Sequence, residues 1–287
     1  MDGQVITRDE YFEPGRLPLA VMRVSGHRPT AVHRHEFSEL VVVFRGRGRH
    51  VTDAGDWPLR AGDVFVLHGD QAHGYENTDD LDLANILFSL DELPLPRVDL
   101  GALPGYHALF DLEPRYRLRD GFGSRLRLGA EPLRAVAALV DRLADELLGR
   151  EPGSGFASLA TFMLLVAELS RHYTSDPPPA AQPLLDLGRV VSYLEQHCDE
   201  EITLDSLARL ACLSRRSLTR AFRGAYGCSP IDHLIRLRVA RAAALLEDPR
   251  LSITEIAGRT GFGDGNYLAR VFRRQMGCSP SAYRRMR

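Results

Sequence analysis

The chain has no lysine: all 36 of its basic residues are arginine. That absence tracks a GC-rich coding bias and excludes no function by itself. Cysteine is scarce, and Cys198, Cys212, Cys228 and Cys278 form no CxxC pair. This argues against a zinc or disulfide framework and for reduced thiols in a cytosolic protein. No apolar run approaches the 18 or so residues of a membrane span. Met1 to Glu10 is polar and lacks the basic-then-apolar layout of a secretion signal. The expectation is a cytoplasmic protein with no membrane partner. What is present suits folded domains: 287 residues, 44% apolar and 26% charged, enough for two cores at about 100–200 residues per domain.

The net charge of −2 conceals an asymmetry. Residues 184–287 hold 17 arginines against 11 acids, net +6, whereas residues 1–183 hold 19 against 27, net −8. A basic C-terminal half on an acidic N-terminal half predicts a polyanionic partner for the former alone. Between them, Thr174 to Pro183 carries four prolines in ten residues and no apolar period. It reads as a semi-stiff linker over 175–183, dividing a domain at 1–174 from one at 184–287.

In the N-terminal half, residues 41–44 and 64–67 are short β-branched and aromatic runs. Gly46, Gly48, Gly55 and Gly62 read as turns between short strands. This pattern favours a barrel or sandwich over about 17–100. Two helices follow, at about 131–149 and 156–173. Leu133, Val136, Val140, Leu143 and Leu147 share one face of the first; Phe156, Leu159, Met163, Val166 and Tyr173 share one face of the second. Each helix packs on its own barrel or forms a dimer seam; periodicity leaves both open.

The C-terminal half repeats itself. Leu218, Arg220, Phe222, Arg223, Gly227, Cys228, Ser229 and Pro230 recur fifty residues later as Leu268, Arg270, Phe272, Arg273, Gly277, Cys278, Ser279 and Pro280. One module is used twice. Each copy reads helix, short turn, helix, with starts at Thr203, Ser214, Ser252 and near Asp264; Glu255 completes a capping-box spacing with Ser252. On each second helix Leu218 and Phe222, or Leu268 and Phe272, point inward. Arg216, Arg220 and Arg223 share an outer stripe in the first copy, and Asn266, Arg270 and Arg273 in the second. A lone basic stripe is most often a solvated face. Two such stripes in a domain of net +6 suit DNA, where arginine pairs with a guanine edge and asparagine with an adenine edge.

These residues resemble the AraC/XylS family of bacterial transcription regulators. The resemblance covers about 186–287. It rests on Ala208, Ser214, Leu218, Arg220, Phe222 and Gly227, and then on Ile256, Ala257, Gly261, Phe262, Tyr267, Leu268, Arg270, Phe272, Gly277, Ser279, Pro280, Tyr283 and Arg284. It implies seven helices, with a long one from about Pro230 to Leu246 between two helix-turn-helix motifs. Arg216, Thr219 and Arg220 would read bases in one major groove, and Asn266, Tyr267 and Arg270 in the next. Gly265 also falls on a reading position but has no side chain to read with. Arg215, Arg223 and Arg273 would contact phosphates, which position without specifying.

Six of the ten histidines lie between residues 27 and 73. His33, His35 and Glu39, with His73 further on, fall in two stretches, Gly26 to Gly46 and Gly62 to Asn77. These resemble the two cupin motifs, with the first gap one residue long. The fold expected is therefore α+β: a cupin-like β-barrel with following helices, then an all-α domain with two helix-turn-helix motifs. Three readings of the four residues stay open. They line a metal-free effector pocket, they hold a divalent metal (Zn, Ni, Fe or Mn), or they fill a barrel mouth. His50 and His68 read as strand-end or surface residues. Residues 37–51, 60–88 and 103–117 further resemble the sensor domains of L-rhamnose operon activators. That resemblance implies a sugar-like effector; the AraC/XylS resemblance implies contact with RNA polymerase beside a promoter, and the expectation is a homodimer joined through the 131–173 helices with no cofactor required. The alternatives are a metal-dependent cupin enzyme with a DNA-binding tail, and a helical repeat serving as a protein-interaction module.

Overall fold

The computed structural model describes residues 4–69, 71–95, 99–120, 125–178 and 180–286, the side chains of 117–120 excepted. The chain divides into two compact units, Met1–Leu185 and Asp186–Arg287.

The first unit is built on one eight-stranded sheet: β1 (Gln4–Ile6), β2 (Leu19–Val24), β3 (Thr30–His35), β4 (Ser38–Thr52), β5 (Gly55–Arg60), β6 (Asp63–Leu67), β7 (His73–Phe88) and β8 (Leu126–Arg127). The strands β1 and β8 lie outside the expected span of 17–100. Two long antiparallel strands, β4 and β7, organise the rest. One half of β7 pairs with β2 and the other with β3, while β4 pairs with β6 and then β5. Val41, Val43, Leu59, Phe65, Leu67, Tyr75, Leu81 and Leu83 come from both halves of these strands yet form one core cluster, so the sheet is rolled around its apolar face.

Gly46 and Gly48 correct the sequence reading. They are not turns between strands but lie inside β4, where its register to β7 shifts between Val43 and Arg49. Gly46 has φ +76°, and a Cβ there would sit 2.0 Å from the Asp80 carbonyl oxygen. Asn77 and Asp80 on the facing strand are left-handed too. The ribbon bends where only glycine fits.

A helical stretch follows the sheet: α1 (Pro104–Tyr106), a π-helical turn (His107–Leu112) and α2 (Glu113–Asp120). The helices α3 (Ala130–Leu148) and α4 (Ser154–Ser175) complete the unit. Val136, Val140 and Leu143 are buried on α3, and Phe162, Leu165, Val166, Leu169 and Tyr173 on α4. The Phe162 ring lies 5.4 Å from that of Phe88 on β7, and Arg23 of β2 pairs with Asp141 at 3.2 Å. Both helices therefore pack on their own sheet. Phe156, grouped by periodicity with the inward residues, is instead 81% exposed. It sits in the first turn of α4, near the end of the hairpin.

The second unit takes over within α5 (Gln182–Gln196), whose first residues fall inside the stretch read as linker. Then come α6 (Leu204–Leu210), α7 (Arg215–Tyr226), α8 (Pro230–Leu245), α9 (Ile253–Arg259), α10 (Gly265–Met276) and α11 (Pro280–Met286). The starts follow the caps read from sequence. Thr203, Ser214 and Ser252 each accept from the backbone N–H three residues on, and Asp264 accepts from Asn266 and Tyr267. Leu218, Phe222, Leu268 and Phe272 are fully buried. The turn of each motif holds left-handed backbone: Cys212 (φ +53°) in the first copy, Gly261 (φ +73°) and Gly263 (φ +69°) in the second.

Candidate effector pocket and nucleic-acid interface

His33 ends up beside His73 because β3 and β7 pair antiparallel with these two residues in register; their rings lie 4.4 Å apart. His35 is two residues along β3, on the same face. Glu39 follows one short turn later on β4. Its Oε2 lies 3.0 Å from His35 Nε2 and 3.4 Å from His73 Nε2, with all three side chains buried. His33 is half-buried at the edge of this group.

The backbone sets the tautomers. His33 Nδ1 meets the Ala31 carbonyl at 3.0 Å, His73 Nδ1 meets that of Gln71 at 3.2 Å, and His35 Nδ1 meets that of Phe37 at 2.5 Å. A carbonyl only accepts, so each Nδ1 carries the proton and each Nε2 is left to face inward. The His35 and His73 Nε2 atoms are close to Glu39 Oε2 but out of hydrogen-bond alignment with it. Burial pushes the Glu39 carboxyl up, but the two imidazoles outweigh it and hold the group well below the usual carboxylate range. Burial pushes His73 down, and its contact with Glu39 more than reverses that, leaving the imidazole raised. His33, lacking such a partner, is lowered by burial.

His35, Glu39 and His73 offer one ligand atom each, all within 4.8 Å of one another. Two inward imidazole nitrogens and a carboxylate, with the other ring nitrogens anchored, form a donor set that fits a divalent transition metal.

This group opens on a cavity of about 550 Å³ whose lining includes His33, His35, Glu39, Tyr75 and Asn85. Five buried polar atoms on it have no hydrogen-bond partner among the described residues: His27 Nδ1, His35 Nε2, Tyr75 Oη, Asn85 Oδ1 and Glu39 Oε1. Burial, with Glu39 nearby, pushes the Tyr75 phenol well above its ordinary value, so it is a neutral donor. A larger cleft of about 750 Å³, lined by parts of residues 11–21 and of the α3–α4 turn, carries no such orphaned atom among the described residues. The polar chemistry therefore points to the inner cavity.

Sequence reasoning missed Tyr75 and Asn85. Tyr75 is two residues beyond His73 on one strand, and so faces the same way. Asn85 is a lone amide inside an otherwise apolar run. Both signals were readable. His50 is a correction: far from the surface, it is fully buried among Trp57, Phe65, His73 and Tyr75, because it pairs with Tyr75 across β4 and β7.

In the second unit α7 and α10 each present an arginine face. Arg215, Arg216, Arg220, Arg223, Arg270 and Arg273 are exposed, as are Asn266 and Tyr267; Thr219 is half-buried. Among the described residues, Arg216, Arg220, Arg270 and Arg273 form no salt bridge. Arg45, Arg47 and Arg49 of the first unit, by contrast, are all neutralised by acids on β5 or β7. Arg215 differs from its neighbours: its guanidinium makes a two-point pair with Asp205 of α6.

Residues 20–159 match the AraC-like ligand binding domain, and residues 207–286 match a helix-turn-helix domain. The chain is 32% identical to the HTH-type transcriptional activator RhaR of Escherichia coli K12 over 98% of its own length and 96% of that protein's. RhaR of Shigella flexneri gives the same figures. The chain belongs to the AraC family of transcription regulators. Among solved structures, this AraC-family chain resembles the DNA-binding domain of AdpA in complex with a target DNA (42% identity, 35% of this chain, 91% of that one, TM-score 0.34). It also resembles an AraC-type regulator from Chromobacterium violaceum (30%, 35%, 89%, 0.33). The relatives' named role is transcriptional activation through DNA. This chain's family is thus one of transcription regulators and not of the cupin enzymes of the alternative reading. Among the described residues no helix is long and apolar enough to cross a membrane.

Proposed function

We propose that this regulator acts as a cytoplasmic homodimer that activates a catabolic operon when a polyhydroxylated small molecule, a sugar such as L-rhamnose, fills the inner cavity. The observation carrying the effector class is the set of orphaned polar atoms on that cavity, among them a phenol, an amide oxygen and a carboxylate oxygen. A buried polar atom without a partner is costly, and hydroxyl groups both donate and accept. Tyr75 Oη, Asn85 Oδ1 and Glu39 Oε1 suit a neutral polyol better than an anion, which Glu39 repels. Arg216, Thr219 and Arg220 of α7, with Asn266 and Arg270 of α10, face the bases of paired half-sites, Tyr267 standing beside Arg270; Arg215, Arg223 and Arg273 face phosphates. Exposed Leu148, Phe156 and Leu164 on α3 and α4 support a second copy docking there. Bound beside a promoter, the dimer contacts RNA polymerase.

The test is a thermal-shift and calorimetric screen of neutral sugars, sugar acids and sugar phosphates against the full chain. A neutral sugar should raise the melting temperature, with the shift lost in Glu39→Gln and reduced in Tyr75→Phe. A shift from anionic ligands alone would sink the assignment.

The inward Nε2 atoms favour a second reading of the same site, in which His35, Glu39 and His73, with His33 beside them, hold a divalent metal that supplies a Lewis-acid anchor for effector hydroxyls. Here these residues bind and orient; no reaction is needed. Metal analysis of tag-free protein decides it. Near-stoichiometric metal, with the sugar response lost on chelation, supports a metal-centred sensor; metal-free protein with a full sugar response ends that reading.

A further inference from the structure

The two recognition modules brace their arginines by different means. Aligned on their caps, Ser214 and Asp264, the first copy has Arg215 and Ser217 where the second has Gly265 and Tyr267; Arg220 and Arg270 coincide. Before the caps, Leu213 and Phe262 correspond, each donating its N–H back to the equivalent alanine, Ala208 or Ala257. In the first copy Asp205 grips Arg215, and Ser217 Oγ bonds the cap Ser214 at 2.9 Å. Arg220 then stands without an ion pair or a ring beneath it among the described residues. In the second copy the Asp205 position is Thr254 and the Arg215 position is Gly265, so that ion pair has no counterpart.

Something else takes its place. The Arg270 guanidinium lies over the Tyr267 ring, 5.3 Å from its centroid. The Tyr267 ring in turn stands edge-on to Phe262, with centroids 5.6 Å apart and planes at 72°. Phe262 is 7% exposed and belongs to the core of this motif, with Ile256, Leu268 and Phe272. A line of contacts thus runs from the core, through one half-exposed ring, to the arginine tip.

We infer that Tyr267 acts on DNA through Arg270. Its ring is a platform that holds the guanidinium ready for two-point recognition of a guanine, and Tyr267 is a positioning residue, not the base reader that the family resemblance implied. A guanidinium lying on a ring keeps its N–H edge free to donate, so stacking and guanine recognition are compatible. A free arginine loses rotamer freedom when it binds; one already held loses less. An exposed cation–π contact corresponds to about two- to fivefold in affinity. With Gly265 silent, α10 depends more heavily on this one arginine than α7 does on any of its own. The inference rests on α10 being the second base-reading helix.

The experiment is selection of binding sites from a randomised duplex by the full chain and its variants, followed by titration on the wild-type site and on that site with the relevant guanine replaced. Arg270→Ala should abolish a guanine preference at one position. Tyr267→Ala and Tyr267→Leu should weaken the preference at that same position about two- to fivefold. The leucine keeps contact with Phe262 but has no ring face, so it separates the platform from folding; thermal melts show that both variants fold. Tyr267→Phe should behave as wild type, and Tyr267→Ala should add nothing on top of Arg270→Ala. The positioning role is overturned if Tyr267→Ala relaxes a different base position, if Tyr267→Phe is as damaging as Tyr267→Ala, or if the two losses simply add. If Arg270→Ala changes no position at all, the base-reading assignment of Arg270 falls, and the platform with it.

Discussion

The side-chain amide of Gln71 donates to the carbonyl oxygen of Pro114 at 2.8 Å, while its own Oε1 accepts from the His68 backbone N–H at 3.2 Å. Both bonds are made by a residue only 3% exposed. The backbone carbonyl of the same residue is the one that anchors His73. Gln71 therefore ties the loop ahead of the pocket to the start of α2. Its replacement by leucine, which has similar size and no polar group, removes the bonds to the His68 N–H and the Pro114 carbonyl. A loss of about 1–3 kcal/mol in unfolding free energy is expected, measured by urea denaturation. A neutral result would mean that water replaces both bonds.

Arg220→Ala and Arg270→Ala should each cost about 1–3 kcal/mol of specific binding and relax one base position. Arg273→Ala should weaken all sequences alike and flatten the salt dependence by about one unit of log–log slope. Titrations over a salt series on specific and random duplexes separate the two classes. Identical behaviour of all three variants would overturn the division into base and phosphate contacts.

With Arg215 proposed to face a phosphate, its two-point pair with Asp205 predicts a competition with DNA. Asp205→Asn removes the competing charge without changing shape, so random-sequence duplex should bind more tightly and with a steeper salt slope. An unchanged slope would show that Arg215 does not approach a phosphate in the complex.

Gly46→Ala should destabilise the first unit by about 1–3 kcal/mol or more, because the new Cβ meets the Asp80 carbonyl at a left-handed φ. Gly153→Ala, also left-handed but with nothing within 4 Å, is the control that isolates the steric part. Equal losses in the two variants would mean that the ribbon bend adjusts.

The helical half was legible because local chemistry and global fold agree there. Thr203, Ser214, Ser252 and Asp264 announce the helix starts, and the fifty-residue repeat exposes the module. The sheet was less legible. A glycine inside a bent strand and a glycine in a turn leave the same mark in sequence, so β4 read as two strands broken at Gly46. His50 read as a surface residue because its inward direction follows from pairing with Tyr75 across two strands, a relation that spacing along one strand does not carry. The spacing of His33, His35, Glu39 and His73 pointed to a shared site, and the structure brings them together. Tyr75 and Asn85 left signals in the sequence, a two-residue spacing from His73 and a lone amide in an apolar run, but that they share one cavity with Glu39 follows only from the strand pairing.

The three imidazoles of the pocket take their orientation from carbonyls two residues away along the chain, whereas Tyr75 Oη and Asn85 Oδ1 bond nothing among the described residues. Exchanging Tyr75 for phenylalanine, or Asn85 for a residue of similar size, removes no hydrogen bond of Tyr75 Oη or Asn85 Oδ1 among the described residues. Changing a histidine strands the carbonyl that anchored it. The barrel thus separates a fixed floor from an adjustable wall. Descent with new effectors, or redesign of this sensor for a different small molecule, has an open route through those two positions while the sheet beneath them and the DNA-reading half stay as they are.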